Sequence, residues 1–114
     1  ELLTRNFADE TFTFFYDQNG GFTESTICND DEWYNITVTK AIGDPGVVNM
    51  YVNGIFNATG TTISIYSSQN AICLGDGFQG NLNAKMGPCM VYNKALIPSE
   101  VLQNYNSQKA RFGL

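Results

Sequence analysis

Three consecutive acids, Asp30, Asp31 and Glu32, stand directly before the single tryptophan, Trp33. On an extended chain, neighbouring side chains point to opposite faces, so these three cannot all face one reacting bond. What such a loop can offer is oxygen. Calcium takes carboxylates, amide side chains and backbone carbonyls, and Asp30, Asp31 and Asp76 are the candidate ligands, with Asp44 and several Asn nearby in composition although no EF-hand pattern is present. No cofactor is otherwise required. Phe22, Tyr66 and Phe78 lie beside turns, where aromatic rings stack on sugars or pack the rim of a sheet, the latter being the commoner fate. The chain contains no His, which excludes Ser-His-Asp, Cys-His and zinc-protease chemistry. Cys28, Cys73 and Cys89 form no CxxC element, so they are expected either as buried reduced thiols or as one disulfide with a thiol left over. Catalytic residues are therefore not assigned, and the chain is expected not to be an enzyme.

The 114 residues carry a net charge of −5, with 15% charged and 43% hydrophobic side chains, which fits one domain with a real core. Residues 1–32 hold eight acids against Arg5 alone, and this balance argues against a nucleic-acid partner. The acids are read mainly as decoration of solvated loops, with a cation- or base-binding face as the alternative. No apolar run is long enough to span a membrane, and ELLTRNFADE lacks the features of a signal peptide. Its abrupt start predicts a piece of a longer polypeptide. Asn35-Ile-Thr37 and Asn57-Ala-Thr59 match the N-glycosylation pattern, as chance allows in a chain rich in Asn and Thr.

Alternation of period two organises the chain. Residues 11–16 predict a strand with Phe12, Phe14 and Tyr16 on one face, and Gly20-Gly21 turns it into a second strand ending near Cys28. Residues 33–40 predict a core strand with Tyr34, Ile36 and Val38 inward, Trp33 opening it. In 47–53, Val48, Met50 and Val52 alternate with polar residues and Tyr51. Asn53-Gly54 predicts a type I′ hairpin turn, whose two central residues need positive φ. Further strands are expected at 61–66, 70–75 and 86–92, the last at an edge because of Pro88. The period then changes to that of a single helix, with Pro98 near its start, Ser99 as a cap, an apolar set at Val101, Leu102 and Tyr105, and Gly113 as its stop.

From Trp33 onward, WYNITVTK, NMYVNGIFNATG, ICLGD and FQGNLNAKMGPCMVYNKALIPSEVLQNYNSQKARFGL, in this order, resemble the laminin-G-like, concanavalin A-like lectin/glucanase jelly-roll domains. The resemblance implies an all-β antiparallel jelly-roll sandwich with one short C-terminal helix. Its motifs run from Trp33 to the end of the sequence, and it implies that 1–114 is one partial domain lacking the strands before Thr11, with 97–114 as helix and tail. Glucanases of that architecture use an E-x-D-x-x-E strand, which this sequence does not contain. The tail NYNSQKARFGL resembles virion proteins of tailed bacteriophages.

The expected function is that of a non-enzymatic virion structural protein: a capsid decoration, fibre or tail adhesion module. It would pack against other virion chains, as a homo-oligomer or within a larger assembly, and bind host-surface glycans. The alternative is an extracellular, calcium-dependent lectin-like module. Residues expected to matter structurally are Trp33, Tyr34, Ile36, Val38, Asn53, Gly54, Phe78, Gly80 and Tyr105, and the abundant Asn and Thr suit pairing between chains.

Overall fold

A computed structural model of the chain describes residues 2–6, 11–15, 22–24, 27–43, 46–62, 76–77, 80–81 and 85–114, with side chains at 11–13, 27–43, 46–61 and 85–114. The described elements are antiparallel β-sheets and one C-terminal helix, the all-β arrangement expected. Strands β1 (Leu2–Asn6), β2 (Thr11–Phe15) and β3 (Phe22–Glu24) form one sheet in sequence order. The hairpin expected around Gly20-Gly21 is present, with Phe15 opposite Phe22, and residues 2–6 add a strand ahead of Thr11. The buried face of β2 differs from expectation. Thr11 and Thr13 are buried while Phe12 is only half-buried, because alternation defines two faces but not which one is covered.

The second sheet comprises β4 (Ile36–Lys40), β5 (Gly46–Val52) and β6 (Ile55–Thr62), with β5 in the middle. Asn53 (φ 51°) and Gly54 (φ 77°) close the β5–β6 hairpin with the positive angles that the type I′ turn demands. The Asn53 N–H donates to the Asn35 carbonyl (2.8 Å), and its side-chain Oδ1 accepts from the Asn35 N–H (2.9 Å). The turn is thereby tied to the entry of β4.

Val48 and Met50 are fully buried, and a bulge between Met50 and Tyr51 sets Tyr51 against Phe56. Tyr51 is buried too, clustering with Leu96 and Val101. The middle strand thus buries side chains from both faces. On β4 the fully covered side chain is Thr39, whereas Ile36 and Val38 are half-buried. Val38 pairs with Met50 and shares its face, but it lies on an outer strand of the described sheet, where a neighbour covers one side only. β7 (Asp76–Gly77) and β8 (Gly80–Asn81) form a short two-stranded ladder. The strands expected at 61–66 and 70–75 lie outside the described residues, apart from Thr61 and Thr62 at the end of β6.

Residues 86–92 are not a strand. Pro88 removes a ladder donor, and two helix side chains reach the polar atoms of this segment. Asn104 donates from Nδ2 to the Tyr92 hydroxyl (3.0 Å), that hydroxyl donates to Met90 Sδ (3.3 Å), and Gln108 approaches the same sulfur (3.7 Å). Helix α1 (Pro98–Gln108) has Pro98 as its first residue, but Ile97 rather than Ser99 occupies the cap position. Ile has no side-chain acceptor, so the cap is made from the third helical position: Glu100 Oε2 accepts the Ile97 N–H at 3.0 Å, while Oε1 pairs with Lys94 Nζ at 2.5 Å. Val101 is buried and Tyr105 half-buried, but Leu102 is exposed. Val101 and Tyr105 are one turn apart on the stripe facing β5 and β6, and Leu102 falls beside it.

A Cβ on Gly54 would stand 2.9 Å from Tyr105 Cβ, at a φ that L-residues resist, so Gly54→Ala lowers unfolding stability by about 1–3 kcal/mol in urea titration. The Glu100 carboxyl is held below its ordinary value of 4.5, first by the Lys94 hydrogen bond and then by the Ile97 N–H. A lowered folded value means that this contribution is complete above the ordinary value and disappears as pH falls through the lowered one. The difference in melting temperature between the native chain and Glu100→Gln therefore shrinks on acidification; a constant difference would refute the linkage.

Candidate functional site

The loop before β4 is organised by one side chain. The Tyr34 hydroxyl accepts from the Asn29 N–H (3.0 Å) and donates to Glu32 Oε2 (2.5 Å), which also accepts from Asn29 Nδ2 (3.4 Å). The phenol is pushed above its ordinary value, first because its proton is held in the bond to Glu32 and next by burial. Asp31 sits at a left-handed φ of 59°, which turns the chain between Asp30 and Trp33.

Trp33 packs against a residue almost eighty positions away in sequence, Phe112, with ring centroids 4.7 Å apart and planes at 47°. Phe112 arrives there because α1 tightens into the 3₁₀ turn Lys109–Phe112, and Gly113 (φ 73°) ends it in a left-handed conformation. The Leu114 N–H donates to the Lys109 carbonyl (3.0 Å), locking this stop. On another side, Phe112 lies so close to Gly87 that a Cβ there would meet the ring at 3.0 Å. Arg111 places its guanidinium 5.7 Å from the same ring.

Loop, hairpin turn and tail enclose an open cleft of about 360 Å³ lined by Asp31, Glu32, Trp33, Tyr34, Asn53 and Phe112, with Gly113 and Leu114. Its size lies near the lower end of small-ligand sites, roughly 300–1,000 Å³. Its lining combines the aromatic rings of Trp33, Tyr34 and Phe112 with the acids Asp31 and Glu32 and the amide residue Asn53.

Of the residues singled out in the sequence, Asp31 lines the cleft, while Asp30 is exposed beside it. Asp76 and Phe22 belong to β7 and β3, with side chains outside the described set; Tyr66 and Phe78 lie outside the described residues altogether. Gly80 is in β8. Among the described residues, no three His, Cys, Asp or Glu side chains gather to hold a metal ion. Tyr34, expected on the inward face of the strand, and Trp33, expected to open it, are half-buried walls of the cleft. Phe112 was missed, and its signal was the Gly113 stop that folds it back. Cys28 is buried as expected of a small apolar side chain, but Cys89 is exposed. Among the described residues, no helix is long and apolar enough to cross a membrane.

A laminin G-type family model, described as the concanavalin A-like lectin/glucanases superfamily, matches residues 2–102. The match begins well before Trp33 and stops within α1, so Phe112 lies beyond it. No curated protein and no solved structure matches the chain.

Because Trp33 is the single tryptophan, it reports on this wall alone. Gly87→Ala is expected to displace Phe112 and shift the Trp33 emission to longer wavelength, whereas Gly113→Ala, with open space at its Cβ, acts only through backbone strain and weakens the tail. An unchanged spectrum for Gly87→Ala would show that Phe112 does not cover the indole in solution.

Proposed function

This chain belongs to the concanavalin A-like lectin/glucanases superfamily, and from that premise we propose that it is a non-enzymatic adhesion module that holds glycans in the Trp33 cleft. The observation that carries this reading is the cleft itself, where an indole face stands beside Asp31, Glu32 and Asn53. Sugars present an apolar ring face and a rim of hydroxyl groups, and this pairing of surfaces suits both. The non-enzymatic reading is supported by the missing E-x-D-x-x-E strand and the lack of His. Calcium, in this proposal, is an accessory: Asp30 and Asp31 offer oxygens from the same loop, and Asp76 is the more distant candidate in sequence.

A second role, packing against other chains, is supported by the exposed apolar side chains Met86, Met90, Val91 and Leu102. Soluble surfaces seldom gather such groups without covering them. In the proposed setting, the surface of a bacteriophage virion, neighbouring chains cover this face and the cleft meets host glycans. The resemblance of the tail NYNSQKARFGL supports that setting; an extracellular lectin-like module is the alternative location.

The test is retention on columns of immobilised host-surface polysaccharide, with and without a chelator. Native protein is retained, and Trp33→Ala loses about tenfold or more in affinity while keeping a cooperative unfolding transition. Loss of retention with chelator assigns calcium a part. Absence of retention on every polysaccharide, together with concentration-dependent self-association in sedimentation, would replace adhesion by packing.

A further inference from the structure

The charge of the cleft narrows the kind of glycan it suits. Among the described residues, two acids line it, Asp31 and Glu32, and no Lys or Arg does. Among the described residues, no hydrogen bond or ion pair engages the Asp31 carboxylate. Glu32 uses Oε2 for both Tyr34 and Asn29, which leaves Oε1 available. Arg111, the cation beside the wall, is directed over the Phe112 ring and is not part of the lining. The opening therefore presents net negative charge next to the indole of Trp33, a π-face that itself attracts cations.

We infer that the cleft prefers glycans carrying a free amine, with the sugar face on Trp33 and the ammonium group between Asp31 and Glu32. This deepens the glycan reading above and rests on it. A neutral sugar gains the aromatic contact and hydroxyl hydrogen bonds; an amino sugar gains these and two charge-assisted bonds as well. Both carboxylates are exposed, so the added preference is moderate and depends on salt.

The two acids can be neutralised without dismantling the loop. Asn tolerates the left-handed φ of 59° at position 31 about as well as Asp does. Gln at position 32 retains a side-chain oxygen that can accept from Tyr34. Asp31→Asn and Glu32→Gln are therefore expected to fold, and a native melting transition checks that they do.

The experiment is a titration of Trp33 fluorescence with β-1,4-linked glucosamine oligomers and with glucose oligomers of equal length and linkage, which differ by an amine against a hydroxyl. In low salt, at a pH acidic enough to keep the glucosamine amines protonated, the amine oligomer is expected to bind about fivefold or more tightly than the glucose oligomer. That preference narrows toward unity near 1 M salt, where the screening length is about 3 Å. Asp31→Asn with Glu32→Gln removes the preference by lowering amine-oligomer affinity more than glucose-oligomer affinity, because the amide oxygens still accept from hydroxyl groups but no longer pair with an ammonium group. Equal affinities in the native protein, or a preference that survives the double substitution, overturn the amine inference and leave the glycan reading standing. Failure of both oligomers to bind overturns this inference, and retention on the polysaccharide columns then decides separately whether the glycan reading falls with it.

Discussion

The two-residue turn at Asn53-Gly54 is the constraint on which the described structure depends. Its positive φ angles set the register of β5 against β6. Through reciprocal bonds with Asn35 it places the start of β4, and hence the acidic loop before it. Gly54 also receives Tyr105, so the helix can approach the sheet only because this position has no side chain. One turn thus positions a strand, a loop and a helix. Asn53 then supplies part of the cleft lining directly.

The cleft is a seam rather than a hole in a core. Its walls come from a loop near the middle of the chain, a hairpin tip and the C-terminal turn, which meet through the Trp33–Phe112 contact. Each wall is held locally by a few bonds: the Tyr34–Glu32–Asn29 triad on one side, the Gly113 stop on the other. Individually these bonds are modest, about 1 kcal/mol each for neutral pairs and somewhat more where a carboxylate accepts. What fixes the walls relative to one another is the aromatic packing, with Gly87 providing the space into which Phe112 fits.

Features encoded within a few residues were legible in the sequence. The type I′ turn, the hairpin of β2 and β3 and the proline that starts α1 all arise from local backbone chemistry. Features that depend on what covers a face were not. The alternation in β2 is plain, but Thr11 and Thr13 face inward; the alternation in β4 is plain, but Thr39 is the buried residue. Residues 86–92 read as a strand because they are apolar, yet their partners are Asn104 and Gln108, one helical turn apart, and no nearby residue announces that pairing. For the site, the acidic loop and Trp33 were visible as neighbours in sequence. Their companion Phe112 was not, since an aromatic residue in a tail shows its partner only after the helix has been placed.

The family match ends at residue 102, before the tail that completes the cleft. The sheet and the start of the helix lie within the matched residues, while one wall of the cleft is contributed by the C-terminal turn at Phe112–Leu114 beyond them. That division has a physical consequence. Changes at Phe112 or Gly113 alter the wall without touching β5, whose Val48, Met50 and Tyr51 hold the sheet. Changes at Asn53 or Gly54 cannot be confined in this way, because the same turn sets strand register, seats Tyr105 and lines the cleft. The tail and the acidic loop thus shape the cleft apart from the core of β5, whereas the hairpin turn is bound to both sheet and cleft.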